Sequence, residues 1–265
     1  MSTQAITATN EPQELSMSDE KAQYTLWQIL GIWLVGSSPM WLLAWVVAPV
    51  LLPYSPLKPL ITYWLLMIAG MVWQFVVSIV IIFRELGTLR WSAIRQRTWL
   101  QAPHDPKTDQ PNLRLYWWLL PALFLTGLVQ MGLVGYLEAP LVRIFPAPAW
   151  LPEISFTPEF HGQWWLLAIA LVSAAFNYFL GEEFLFRGVL LPRMQGVFGK
   201  YDWVANAVLF GLYHLHRPWS VLTNIVGTLP LTWPCRRFRS NWFAVVLHGV
   251  EALITLVPIL VIILG

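Results

Sequence analysis

ITYWLLMIAGMVWQFVVSIVIIF, residues 61–83, holds 23 consecutive positions without a charged side chain. At about 1.5 Å of rise per residue it makes a helix of about 34 Å, enough to span a hydrocarbon core of about 30 Å. In lipid every backbone polar group must be satisfied internally, so the stretch predicts a transmembrane α-helix. A run of the same character precedes it at about Leu26 to Leu52, across a Pro-rich turn at Pro53 to Pro59. Further runs follow at about Leu115 to Leu137, Trp164 to Leu191, Trp203 to His216, Ser220 to Trp233 and Trp242 to Leu264. The Ser220 to Trp233 run is short and contains Gly227 and Pro230. The pattern predicts an all-α, polytopic transmembrane helix bundle of about seven spans, with eight the alternative count. Composition agrees, because the 265 residues are 57% hydrophobic and only 11% charged, whereas a soluble domain carries about 25% charged residues. A net charge of +2 argues against a nucleic-acid partner, and the single Cys235 excludes an internal disulfide framework and a thiolate zinc site.

Orientation follows from the basic residues, which stay on the cytoplasmic side. With the N-terminus inside, 13 of the 16 Lys and Arg fall on inner loops and only Lys58, Arg143 and Arg217 fall outside. The split predicts a multi-pass protein of the cell membrane with a cytoplasmic N-terminus. Between spans two and three, Arg84 to Leu100 mixes apolar residues with four arginines, which suits a helix lying in the inner interface. Residues 1–23 are polar and read as a disordered cytoplasmic tail, and 24–265 as a single transmembrane helical domain.

Charged side chains at membrane depth are costly and therefore informative. Glu182, Glu183 and Arg187 lie on the fourth span, His214 and His216 on the fifth, and His248 with Glu251 on the last. Glu182 is 11 residues from Arg193, His214 is 12 from Asp202, and His248 is 9 from Arg239. These separations place the three at about 16, 18 and 14 Å from the inner boundary, nearly one level. Glu183 and Arg187 are i and i+4, so they can pair on one face, whereas Glu182 points about 100° away without a partner at that spacing. An unpaired buried carboxylate suits a general base. Asn206, Phe210 and His214 form one stripe on the fifth helix, and His216, beside Arg217 and Pro218, reads as an outer-interface residue.

These residues resemble the CPBP family, the CAAX prenyl proteases and bacteriocin-processing enzymes, also called the Abi family of intramembrane proteases. The resemblance runs over about 164–254 and rests on Glu182, Glu183 and Arg187 in Gly-Glu-Glu-Phe-Leu-Phe-Arg-Gly, on Phe210 and His214 in Phe-Gly-Leu-Tyr-His, and on His248. The family has Asn four residues after the third-motif His; here that position is Ala252. The resemblance implies that Glu182 and His214 activate a water molecule and that His248 stabilises the oxyanion, with Glu183, Arg187 and Phe210 in support. A rival mechanism places zinc between Glu182, His214 and His248, with the fourth position left to water. No His-Glu-x-x-His is present, so no metal or other cofactor is the expectation and zinc the alternative.

The function expected is thus a hydrolase, an intramembrane endopeptidase acting on a peptide or membrane-protein substrate that enters from the cytoplasmic side or laterally from the lipid bilayer. The alternative, motivated by Ala252, is a proteolytically weak or inactive membrane scaffold or immunity protein of the same fold. An ion path is a third reading, but its polar groups would form a ladder across the bilayer rather than gather at one depth.

Overall fold

The computed structural model describes residues 23–152 and 158–265. The first 22 residues, most of the expected tail, lie outside the described residues. Gln23 is docked, donating Nε2 to Pro192 O at 3.3 Å while its Oε1 accepts from Gly196 N at 3.2 Å.

The helices are α1 (Leu26–Tyr54), α2 (Pro59–Leu86), α3 (Trp91–Arg97), α4 (Leu113–Ile144), α5 (Trp164–Arg193), α6 (Asp202–Tyr213), α7 (Val221–Phe238) and α8 (Trp242–Leu264). Among the described residues there is no strand, only a lone bridge between His104 and Pro111. The chain is all-α. Thr25 and Gln28 cap α1 reciprocally, Thr25 N donating to Gln28 Oε1 at 2.8 Å. Pro59 opens α2, and Gly87, at φ +64°, closes it with an N–H bond to Phe83 O at 2.8 Å.

Five helices, α1, α2, α4, α5 and α8, are long and apolar enough to cross a membrane. The other two runs read as spans differ from the sequence expectation. α6 ends at Tyr213 after 12 residues, and the chain continues through a 3₁₀ turn, His214–His216. α7 runs five residues beyond Trp233, through Pro230 and Pro234, to Phe238. The two pack backbone to backbone at Gly211, where a Cβ would lie 3.0 Å from both Ile225 N and Val221 O.

The expected interfacial helix is reduced to the seven residues of α3, and its last arginine is buried. Arg97 donates Nε to Glu85 at 2.6 Å, Nη2 to the Tyr24 hydroxyl at 2.9 Å, and reaches Gly188 O and Val189 O, each at 3.2 Å. Both carbonyls belong to a widened part of α5: residues Phe176–Leu180 and Phe184–Leu190 are π-helical, and the chain turns at Gly181 between them. Arg97 thus supplies charged donors to two carbonyl oxygens of that stretch.

Gly181 is required by close approach. A Cβ there would meet Phe176 O at 2.6 Å and Met71 O at 2.9 Å, both backbone atoms that cannot swing away. Gly181→Ala is expected to cost about 1–3 kcal/mol, as overpacking does. Thermal unfolding in detergent checks this, and an unchanged midpoint would show that α2 and α5 yield at the site.

Candidate active site

The bend at Gly181 sets the Glu182–Glu183 pair at the start of a π-helical stretch with every side chain from Phe184 to Leu190 buried. Glu182 and Glu183 are themselves 3% and 0% exposed. α6 brings Phe210, Tyr213 and His214 against this stretch, and α8 brings His248. Phe210 joins the three, its ring centroid 4.8 Å from His214 and 6.1 Å from His248, with the Arg187 guanidinium 4.1 Å above its face. The three motifs placed at one depth from sequence do converge.

The expected Glu183–Arg187 pair is present, Nη1 to Oε1 at 3.1 Å with both side chains fully buried. The same Glu183 oxygen accepts from His248 Nδ1 at 2.8 Å. Because a carboxylate only accepts, Nδ1 carries the hydrogen, and Nε2 is the atom left to face the site. It lies 4.0 Å from Glu182 Oε2 and 3.9 Å from Glu251 Oε2. His214 Nδ1 lies 2.9 Å from Phe210 O, so by the same logic it is the donor and Nε2 offers a lone pair.

Glu182 is not without partners, as the spacing had suggested. The Tyr213 hydroxyl donates to Oε1 at 3.0 Å, and the Asn177 amide nitrogen, turned toward the carboxylate, lies 2.9 Å from Oε1 and 3.2 Å from Oε2. Tyr178 packs edge-on against His248 with centroids 4.8 Å apart. None of the three was singled out from sequence. The usable signals were a polar Asn inside an apolar span, five residues before Glu182, and a Tyr adjoining His214. No direct hydrogen bond joins His214 to Glu182 among the described residues. His216 packs its ring against those of Tyr213 and His214, with centroids 5.6 and 5.4 Å apart. Asn206 is structural, donating Nδ2 to Phe186 O at 2.8 Å.

Residues 161–254 match the Rce1-like family model, described as type II CAAX prenyl endopeptidase Rce1-like. The match covers about a third of the chain, and in that segment the chain is similar to this family. No curated protein and no solved structure matches the chain. The matched segment begins just before α5 and ends within α8, so it contains all of Glu182, Glu183, Arg187, Phe210, His214 and His248. Among the described residues no group of three or more His, Cys, Asp and Glu is placed to hold a metal ion.

Beside this cluster lies a cavity of about 510 Å³, walled by α2, α5 and α8 and by the loop after α4. Its wall is mostly apolar, with Trp64, Met67, Leu151 and Leu256, and its polar members include Asn177, Tyr178 and Arg217. Asn177 and Tyr178 are the residues that touch Glu182 and His248, and Ala252 lines the same space.

Proposed function

We propose that the chain is an intramembrane endopeptidase in which Glu182 and His214 activate water and His248 stabilises the oxyanion. The observation that carries this is the contact of buried Glu182 with Asn177, on the wall of an apolar cavity large enough for a peptide segment, beside His248. Glu182 takes one proton of a water molecule while His214 Nε2 accepts a hydrogen bond from the other. The water oxygen bonds to the scissile carbonyl carbon, and the C=O electron pair moves onto the carbonyl oxygen. A proton on His248 Nε2 faces that charge while Glu183 fixes the ring through Nδ1. When the C–N bond breaks, the electron pair of the oxyanion reforms the carbonyl, and the amine leaves with the proton that Glu182 took. The rival mechanism places zinc between Glu182, His214 and His248.

On this reading the protein lies in the cell membrane with a cytoplasmic N-terminus, and α6 and α7 join the five long apolar helices to make seven crossings. Leu60, Leu151 and Arg217 then lie toward the outer side, so substrate reaches Glu182 from the outer half or laterally, and the cytoplasmic route gives way. With Cys235 replaced, a single cysteine at position 104 is expected to resist an impermeant thiol reagent added to whole cells, and one at Leu151 to react. Labelling at 104 from outside would invert the topology.

The function itself is tested by incubating purified protein in detergent with a peptide library. Cleavage by wild type but not by Glu182→Gln, insensitive to chelator, is expected. Activity lost to chelator and restored by zinc would favour the metal mechanism, and no cleavage by folded protein would favour the scaffold.

A further inference from the structure

A tetrahedral intermediate places a full negative charge on one oxygen, and a site from which water is excluded must supply donors for it. His248 supplies one, Nε2, because its other nitrogen is committed to Glu183. Of the polar residues on the cavity wall, Ser173 accepts from Trp64 Nε1 at 2.9 Å and Tyr178 packs against His248, while Asn177 reaches Glu182 itself.

The backbone explains how. In a regular α-helix, residues five apart are rotated by about 140° from one another, so Asn177 and Glu182 would point apart. The π-helical Phe176–Leu180 segment and the turn at Gly181 re-aim them toward one point. Widened turns of this kind occur mostly where a side chain is placed for function. The amide carries two hydrogens. Its nitrogen lies 2.9 Å from Glu182 Oε1 and 3.2 Å from Oε2, so the longer contact can be exchanged for one to a group held in the cavity.

We propose that Asn177 is a further catalytic residue, an amide donor to the oxyanion that shares the charge with His248. This rests on the protease reading above. It also accounts for how the chain manages with Ala252, which lies on the same cavity wall and offers no donor. As the carbonyl electron pair moves onto oxygen and Glu182 gains the proton of water, one Asn177 N–H turns from Glu182 Oε2 to the oxyanion, and the other stays with Oε1. No bond of Asn177 itself is made or broken.

The test uses the full chain in detergent micelles and the internally quenched apolar peptide on which wild type shows the highest Glu182-dependent cleavage. Asn177→Ala is expected to lower kcat by about 10²- to 10³-fold with KM nearly unchanged, since the interaction exists only in the transition state. In that background, Ala252→Asn, which puts an amide back on the cavity wall, is expected to recover at least tenfold. Ala252→Leu, which fills space without a donor, is expected to recover nothing. In the wild-type background, Ala252→Asn raises kcat by less than it does in Asn177→Ala. If wild type cleaves but Asn177→Ala stays within threefold of it, or if Leu rescues as well as Asn, Asn177 is not the donor and the protease reading survives. If folded wild type cleaves no peptide, the two fall together.

Discussion

Glu182→Gln is expected to lower turnover by about 10²- to 10⁴-fold, the range over which a positioned acid–base group acts, while the protein unfolds at nearly the wild-type temperature. The substitution keeps shape and removes basicity. Gln Oε1 still accepts the Tyr213 hydroxyl that bonds Glu182 at 3.0 Å, so the α5–α6 contact is preserved. What changes is that no carboxylate remains to take the proton of water. His248 Nε2, 4.0 Å from Glu182, is too far for a direct hydrogen bond and loses only a longer-range attraction. Arg187 keeps its own partner, Glu183, so no buried charge is orphaned. Parallel turnover and thermal unfolding measurements decide it: full activity in a folded Glu182→Gln protein would eliminate the proposed base.

That this carboxylate could be singled out before any coordinates owes much to the solvent. Lipid penalises charge so heavily that Glu182, Glu183, Arg187 and His248 stand out against apolar neighbours, and a rise of about 1.5 Å per residue converts loop distance into depth. The Glu183–Arg187 pairing survives because residues four apart still share a face where the helix widens. The partners of Glu182 were hidden for the complementary reason. Regular helical phase sends Asn177 away from Glu182, and only the π-helical stretch and the bend at Gly181 bring them together. Helix ends failed similarly. His214 lies in a 3₁₀ turn rather than on α6, and the ring of His216 packs against it. Hydropathy also understated α7, because prolines read as breaks although Pro230 and Pro234 sit inside it. The cavity is a property of how three helices diverge, and no single stretch of sequence encodes it.

Glu183→Gln is expected to damage stability and activity together, unlike Glu182→Gln. One oxygen of Glu183 accepts from Arg187 Nη1 at 3.1 Å and from His248 Nδ1 at 2.8 Å, so a single carboxylate compensates a fully buried guanidinium and fixes the imidazole. Gln retains an oxygen for these donors but removes the charge, leaving Arg187 with Thr232 Oγ1 at 3.4 Å and the face of Phe210. An orphaned buried charge costs about 3–5 kcal/mol, a large share of the roughly 5–15 kcal/mol that holds a protein folded. The pair can be dissected. In the Glu183→Gln background, Arg187→Met removes the unpaired cation and fills its place with apolar volume, which is often neutral or favourable for a buried pair. The unfolding temperature of the double variant should therefore recover most of the loss. Its turnover should not recover, because His248 then bonds a neutral amide, and no carboxylate at 183 supports the imidazolium whose Nε2 proton faces the oxyanion. Thermal unfolding within about 1 kcal/mol of wild type for Glu183→Gln alone would show that the carboxylate is not needed to hold Arg187. Recovery of turnover together with stability in the double variant would show that Glu183 acts on the reaction only by keeping the helices packed.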